Sequence, residues 1–128
     1  MNKSKLELLT ISYVNKILRE KLVPSSDGWK MEAKELDFSE SMINKGCPRN
    51  AFLGLCSSGL VKNIPKGIYT KSIKNRTYAE KAVEILKINP DLANTPSRLW
   101  EILQTEVKNH NEQKNIVCTL WKNGLIEQ

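Results

Sequence analysis

The run Ala51-Phe52-Leu53-Gly54-Leu55-Cys56-Ser57-Ser58-Gly59-Leu60-Val61 returns in outline 65 positions later as Ile116-Val117-Cys118-Thr119-Leu120-Trp121-Lys122-Asn123-Gly124-Leu125-Ile126. Both place apolar residues at i, i+1, i+4 and i+5, glycine at i+8, and two apolar residues after it. The period is that of an amphipathic helix. The glycine suits a left-handed C-terminal cap, after which the next apolar residue folds back onto the last turn. Asn50 stands opposite Asn115, and Asn44 opposite Asn109, at the same spacing.

Upstream of each run the order continues to match. Trp29 opens an amphipathic stretch with Ala33, Leu36 and Ile43, behind the capping candidates Ser26 and Asp27. Trp100 opens a shorter one with Leu103 and Val107, behind Thr95-Pro96, a favoured cap and first-turn pair. Before these, Leu6, Leu9, Tyr13 and Ile17 form one helical stripe, and Tyr78, Ala82, Ile85 and Leu86 another. The expected fold is all-α: about six helices, as two related three-helix units in one domain over residues 1–128. The repeat would cover 4–61 and 76–126, joined by a linker at 62–75. Residues 61–70 have β-type side chains around Pro65-Lys66-Gly67, so a short hairpin and an extended loop both fit. Asn75 or Thr77 is the expected cap of the following helix.

Charge is unevenly placed. From residue 41 to residue 79 there is no Asp or Glu, while Lys45, Arg49, Lys62, Lys66, Lys71, Lys74 and Arg76 fall inside. These seven cations exceed the whole net charge of +6. An unopposed positive region is a handle for phosphate or an acidic partner. Within it, Asn44-Lys45-Gly46-Cys47-Pro48-Arg49-Asn50 reads as a turn into a helix whose free N–H groups favour an anion. The candidate anion-binding residues are Lys45, Gly46, Arg49 and Asn50 there, with Tyr69, Lys71, Lys74 and Arg76 from the linker. A turn and a connector whose charges sit in water are the plainer readings of both segments.

Catalytic and metal signals are weak. His110 is the one histidine, and Cys47, Cys56 and Cys118 lack paired metal-ligand spacing. Neither metal nor cofactor is expected. Cys56 and Cys118 read as core residues, as do Trp29, Trp100 and Trp121. Cys47, beside Lys45 and Arg49, is the one candidate reactive thiol. A winged helix-turn-helix would need base-reading side chains after Arg49, where Leu53, Gly54, Ser57 and Ser58 stand instead. Mid-helix Gly54 points to close approach of another backbone. No span of about 20 apolar residues occurs, and the cytoplasm is the expected compartment.

The run Lys45-Gly46-Cys47-Pro48-Arg49-Asn50-Ala51-Phe52-Leu53-Gly54-Leu55-Cys56, with Ile68-Tyr69-Thr70, Asn75-Arg76-Thr77-Tyr78-Ala79 and Asn123-Gly124-Leu125-Ile126, resembles a family of small bacterial proteins catalogued as a domain of unknown function. That resemblance covers nearly the whole chain and implies a cytosolic, one-domain protein. It brings no activity or functional residue with it. The expected function is non-enzymatic binding of an anionic partner, nucleic acid first and an acidic protein second. The alternatives are a protein-interaction module or homodimer without a nucleic-acid role, and a thiol enzyme using Cys47.

Overall fold

The computed structural model describes residues 5–103 and 113–127, apart from the side chains of Cys47, Lys74, Asn75 and Gln113. His110 and Val107, and the Cys47 and Lys74 side chains singled out above, therefore lie outside the described residues. The helices are α1 (Lys5–Glu20), α2 (Ser26–Glu35), α3 (Glu40–Ile43), α4 (Gly46–Ser57), α5 (Ile73–Ile88), α6 (Pro96–Leu103) and α7 (Gln113–Lys122), with a 3-10 turn at Pro90–Asn94. Six of them have eight residues or more, and no strand occurs among the described residues. The all-α expectation holds.

The helix ends that the sequence marked are built alike. Gly59 and Gly124 both take positive φ, 74° and 68°. The Gly59 N–H donates to Cys56 O and the Leu60 N–H to Leu55 O, at 3.1 and 3.0 Å. Sixty-five positions on, the Gly124 N–H donates to Trp121 O and the Leu125 N–H to Leu120 O, at 3.1 and 2.9 Å. Val61 and Ile126 then face each other in an antiparallel bridge. The Lys62 N–H donates to Leu125 O at 2.8 Å, and the Glu127 N–H to Leu60 O at 2.7 Å. Those two bonds exchange with one another when the two runs are exchanged. Packing follows the same crossing pattern, because α1 lies on α7 and α5 on α4, while α1 also touches α2 and α5 touches α6.

The bridge explains why no hairpin forms over 61–70. Val61 spends its strand-like pairing on Ile126, and Asn63 at φ 66° turns the chain so that the Ile64 N–H returns to Val61 O. Beyond Ile64 the segment continues as irregular chain up to α5. Three smaller expectations are corrected. The cap of α2 is Ser25, whose hydroxyl accepts from the Gly28 N–H, and not Ser26 or Asp27. The stretch from Trp29 to Ile43 is two helices, because Asp37 at φ 62° turns the chain and buries Phe38. Finally, α5 starts at Ile73 behind Ser72, so Thr77 lies inside it and its hydroxyl donates to Ile73 O.

One cluster of buried apolar side chains runs from Leu6 to Ile126 and takes in residues of every α-helix, α3 contributing Ile43, with Phe38 added from the turn between α2 and α3. Its aromatic centre joins three elements: Tyr13 of α1, Trp29 of α2 and Phe52 of α4, with ring centroids 5.2 to 6.0 Å apart. Tyr78 and Trp100 make a second edge-to-face contact between α5 and α6, at 6.1 Å. Trp29 and Trp100 are buried, and Trp121 is partly so. At Gly54, α4 and α5 approach closely. A methyl group there would lie 2.7 Å from the Arg76 Cα. At the edge of the α1–α2 contact, the carboxylate of buried Glu32 accepts from the Ser12 hydroxyl and lies 3.3 Å from the Lys16 ammonium.

Candidate anion-binding site

Among the described residues, the start of α4, with Lys45 as its cap residue, has neither a side-chain cap nor an acid in its own first turn. The unpaired N–H groups of a helix start carry partial positive charge. Arg49, one turn in, folds its guanidinium back toward Gly46. A methyl group on Gly46 would lie 3.6 Å from Arg49 Nη2 and 3.6 Å from Asn50 Nδ2. The Nε and Nη1 atoms of Arg49 are both buried, and both lack a hydrogen-bond partner among the described residues. A buried ionised donor left unpaired costs more than a neutral one.

The linker returns to this helix start. The Thr70 hydroxyl donates to Asn50 Oδ1 at 2.9 Å, and Thr70 Oγ1 accepts from the Ser72 N–H at 3.1 Å. The linker is held further along by Ser57, whose hydroxyl donates to Leu53 O and accepts from the Tyr69 N–H, both at 2.9 Å. The Gly67 N–H donates to Ser57 O at 3.3 Å, and the Tyr69 hydroxyl donates to Pro65 O at 2.6 Å. The Tyr69 ring lies so close to Gly67 that a methyl group there would meet it at 2.8 Å. The loop is irregular in backbone, yet tied at both ends and in the middle. The sequence places Ser57 only among the positions after Arg49 that face outward in a winged helix-turn-helix, whereas it is buried here; one of two serines before a cap glycine carries no mark of this role.

Two basic segments distant in sequence thus meet at Asn50. Between them lies a cavity of about 320 Å³, whose lining includes Asn50, Leu53, Ile68, Tyr69 and Lys71, with Ser26 from the start of α2. Of the residues expected to bind an anion, Lys45, Gly46, Arg49 and Asn50 gather at the α4 start, and Tyr69 and Lys71 join them through Asn50. Arg76 is placed apart. It packs against Gly54, its Nε donates to Ser58 Oγ at 3.1 Å, and it pairs with Glu80 at 3.5 Å. The window without acids in sequence is therefore partly opposed in space, by Glu80 on α5.

The described cysteines are poor nucleophiles. Burial pushes the Cys56 thiol far above its ordinary range and the Cys118 thiol up to about 11. Among the described residues no group of three or more His, Cys, Asp or Glu side chains is placed to hold a metal ion. Nor is any helix long and apolar enough to cross a membrane.

Residues 3–127 match the model of DUF6979, described as a family of unknown function, and the chain belongs to that family. No curated protein and no solved structure matches it.

Proposed function

We propose that this DUF6979 member is a non-enzymatic binding protein, and that its basic face at the α4 start and the folded-back linker takes a nucleic-acid strand. The observation that carries this reading is Arg49. Its Nε and Nη1 are buried without a partner among the described residues, at a helix start with no side-chain cap and no acid in its first turn. Burying an ionised donor this way is unfavourable unless an anion completes it. Lys45 adds charge at the same helix start and Lys71 beside Asn50, while Lys66 stands further along the face, next to Gly59 past the end of α4. Lys66 and Lys71 are exposed on a loop whose shape is fixed before binding. Fixed cations spaced along a face suit a repeating phosphate backbone, which is held mainly by charge and released by salt.

With about four phosphates engaged, affinity for a single strand should fall roughly 50-fold between about 50 and 200 mM salt, following a log–log slope near −0.7 per phosphate. Fluorescence anisotropy with a labelled oligonucleotide reads this directly. Lys66→Ala/Lys71→Ala should reduce the slope by about 1.4, whereas Lys87→Ala, in the last turn of α5, should leave it unchanged. No detectable binding at low salt, or a double variant with wild-type slope, would sink the reading.

A protein-interaction role is the second reading, favoured by a different feature. A groove of about 270 Å³ lies between the end of α1 and residues 63–65, and its lining includes Leu18, Leu22, Val23, Pro24 and Ile64. Val23 is 72% exposed there. A self-associating chain using this groove would sediment as a dimer and revert to monomer on Val23→Asp.

A further inference from the structure

We infer that the cavity between α4 and the linker receives one unstacked nucleobase of the bound strand, with Ile68 as the side chain that packs on it. The inference rests on the nucleic-acid reading above and adds what that reading does not contain, a preference for single strands over duplex.

Three features combine to suggest it. The first is the display of Ile68, which is 88% exposed although both chain neighbours are tied down. The Gly67 N–H is held by Ser57 O, and the Tyr69 N–H is held by Ser57 Oγ. A solitary exposed apolar side chain is ordinary, but one presented on a rigid loop loses little entropy when it is covered.

The second feature is the cavity's size and lining. Its volume of about 320 Å³ lies at the small end of ligand sites, large enough for a base without its duplex partner. The exposed Ile68 supplies apolar surface, while Leu53 belongs to the lining but is itself almost wholly buried. Asn50 and Thr70, already bonded to each other, supply polar edges of fixed orientation. Apolar contact with a base face is non-directional and so does not discriminate among the bases.

The third is the position of the charges. Lys66 and Lys71, both exposed, stand two residues before and three residues after Ile68 on the same tethered loop. A strand crossing the loop can therefore keep its phosphates on lysine while one base leaves the stack for the cavity. A duplex, with its bases already paired and stacked, gains the lysines and not the cavity. Unstacking a base costs little in a single strand, which is where the preference arises.

The test compares three labelled probes of equal length against the full chain: a single-stranded oligonucleotide, the same strand with abasic residues throughout, and its duplex. The expected result is single-strand affinity roughly tenfold above the abasic strand, the gain from covering most of one exposed isoleucine. Ile68→Ala should erase that difference while keeping the salt slope. Because Ile68 is exposed, the variant keeps its fold, which an unchanged thermal midpoint checks. Equal affinity for the single and abasic strands overturns the base-binding inference and leaves the charged-face reading intact. Tighter binding of the duplex than of the single strand also overturns it. Failure of all three probes to bind at low salt removes both.

Discussion

Phe52→Ala is expected to lower the unfolding free energy by about 3–5 kcal/mol, the range for deleting a buried aromatic side chain. Phe52 is fully buried and touches both other rings of the aromatic centre, Trp29 at 5.2 Å and Tyr13 at 5.5 Å. The three rings come from α1, α2 and α4, so the cavity left behind would open at the junction of three helices. Tyr13 cannot swing in to fill it. Its hydroxyl is engaged at both ends, donating to Ser25 O and accepting from the Ser25 N–H. Domains of this size are stable by only about 5–15 kcal/mol, so the loss should be visible at once in a chemical denaturation curve. A shift below about 1 kcal/mol would mean that Phe52 is not the centre of that junction.

Gly54→Leu should cost nearly as much, about 3 kcal/mol, by the opposite mechanism. The neighbour here is backbone: the Arg76 Cα and N would stand 2.7 and 3.2 Å from the new Cβ. Backbone cannot rotate away, so α5 must move off α4 or α4 must bend. Helix propensity acts in favour of the substitution by about 1 kcal/mol and does not offset the clash. Gly124→Ala is the contrasting case. Beyond its chain neighbours, nothing among the described residues lies within 4 Å of its Cβ, and the backbone conformation at φ 68° is what opposes it. That variant should lose about 1 kcal/mol. Comparing midpoints in guanidinium separates the two mechanisms, and a Gly54 variant as stable as Gly124→Ala would contradict the close approach.

What was legible in the sequence follows from how local the signal was. Helix order, the glycine-leucine caps and the burial of Cys56 and Cys118 all rest on spacing within about two turns, and spacing is what a sequence displays. The close approach at Gly54 was readable for a similar reason, since a glycine inside an apolar helix has few other uses. The route of residues 61–71 was not readable. Val61 has the same β-type character whether it pairs with a hairpin partner or with Ile126, and only the tertiary fold brings Ile126 to it.

The candidate site divides along the same line. The α4 start, from Lys45 to Asn50, was visible as a turn with positive charge and no acids. Its union with Tyr69 and Lys71 depends on the Thr70–Asn50 and Ser57–Tyr69 bonds, each between side-chain or backbone groups at least 12 residues apart. Ile68 and Leu53 have no chemistry that marks them before the cavity is seen. One missed signal was available. Once α5 begins at Ile73, Arg76 and Glu80 fall one turn apart on it, a spacing at which opposite charges pair.

The most direct test is a titration of isotopically labelled protein with a single-stranded oligonucleotide at low salt, following backbone amide shifts. A strand bound at the α4 start and the folded-back linker predicts perturbations concentrated at residues 45–50 and 66–72, with Arg49 side-chain resonances among the largest. Shifts confined to Leu22, Val23 and Ile64, or no shifts at all, would contradict it.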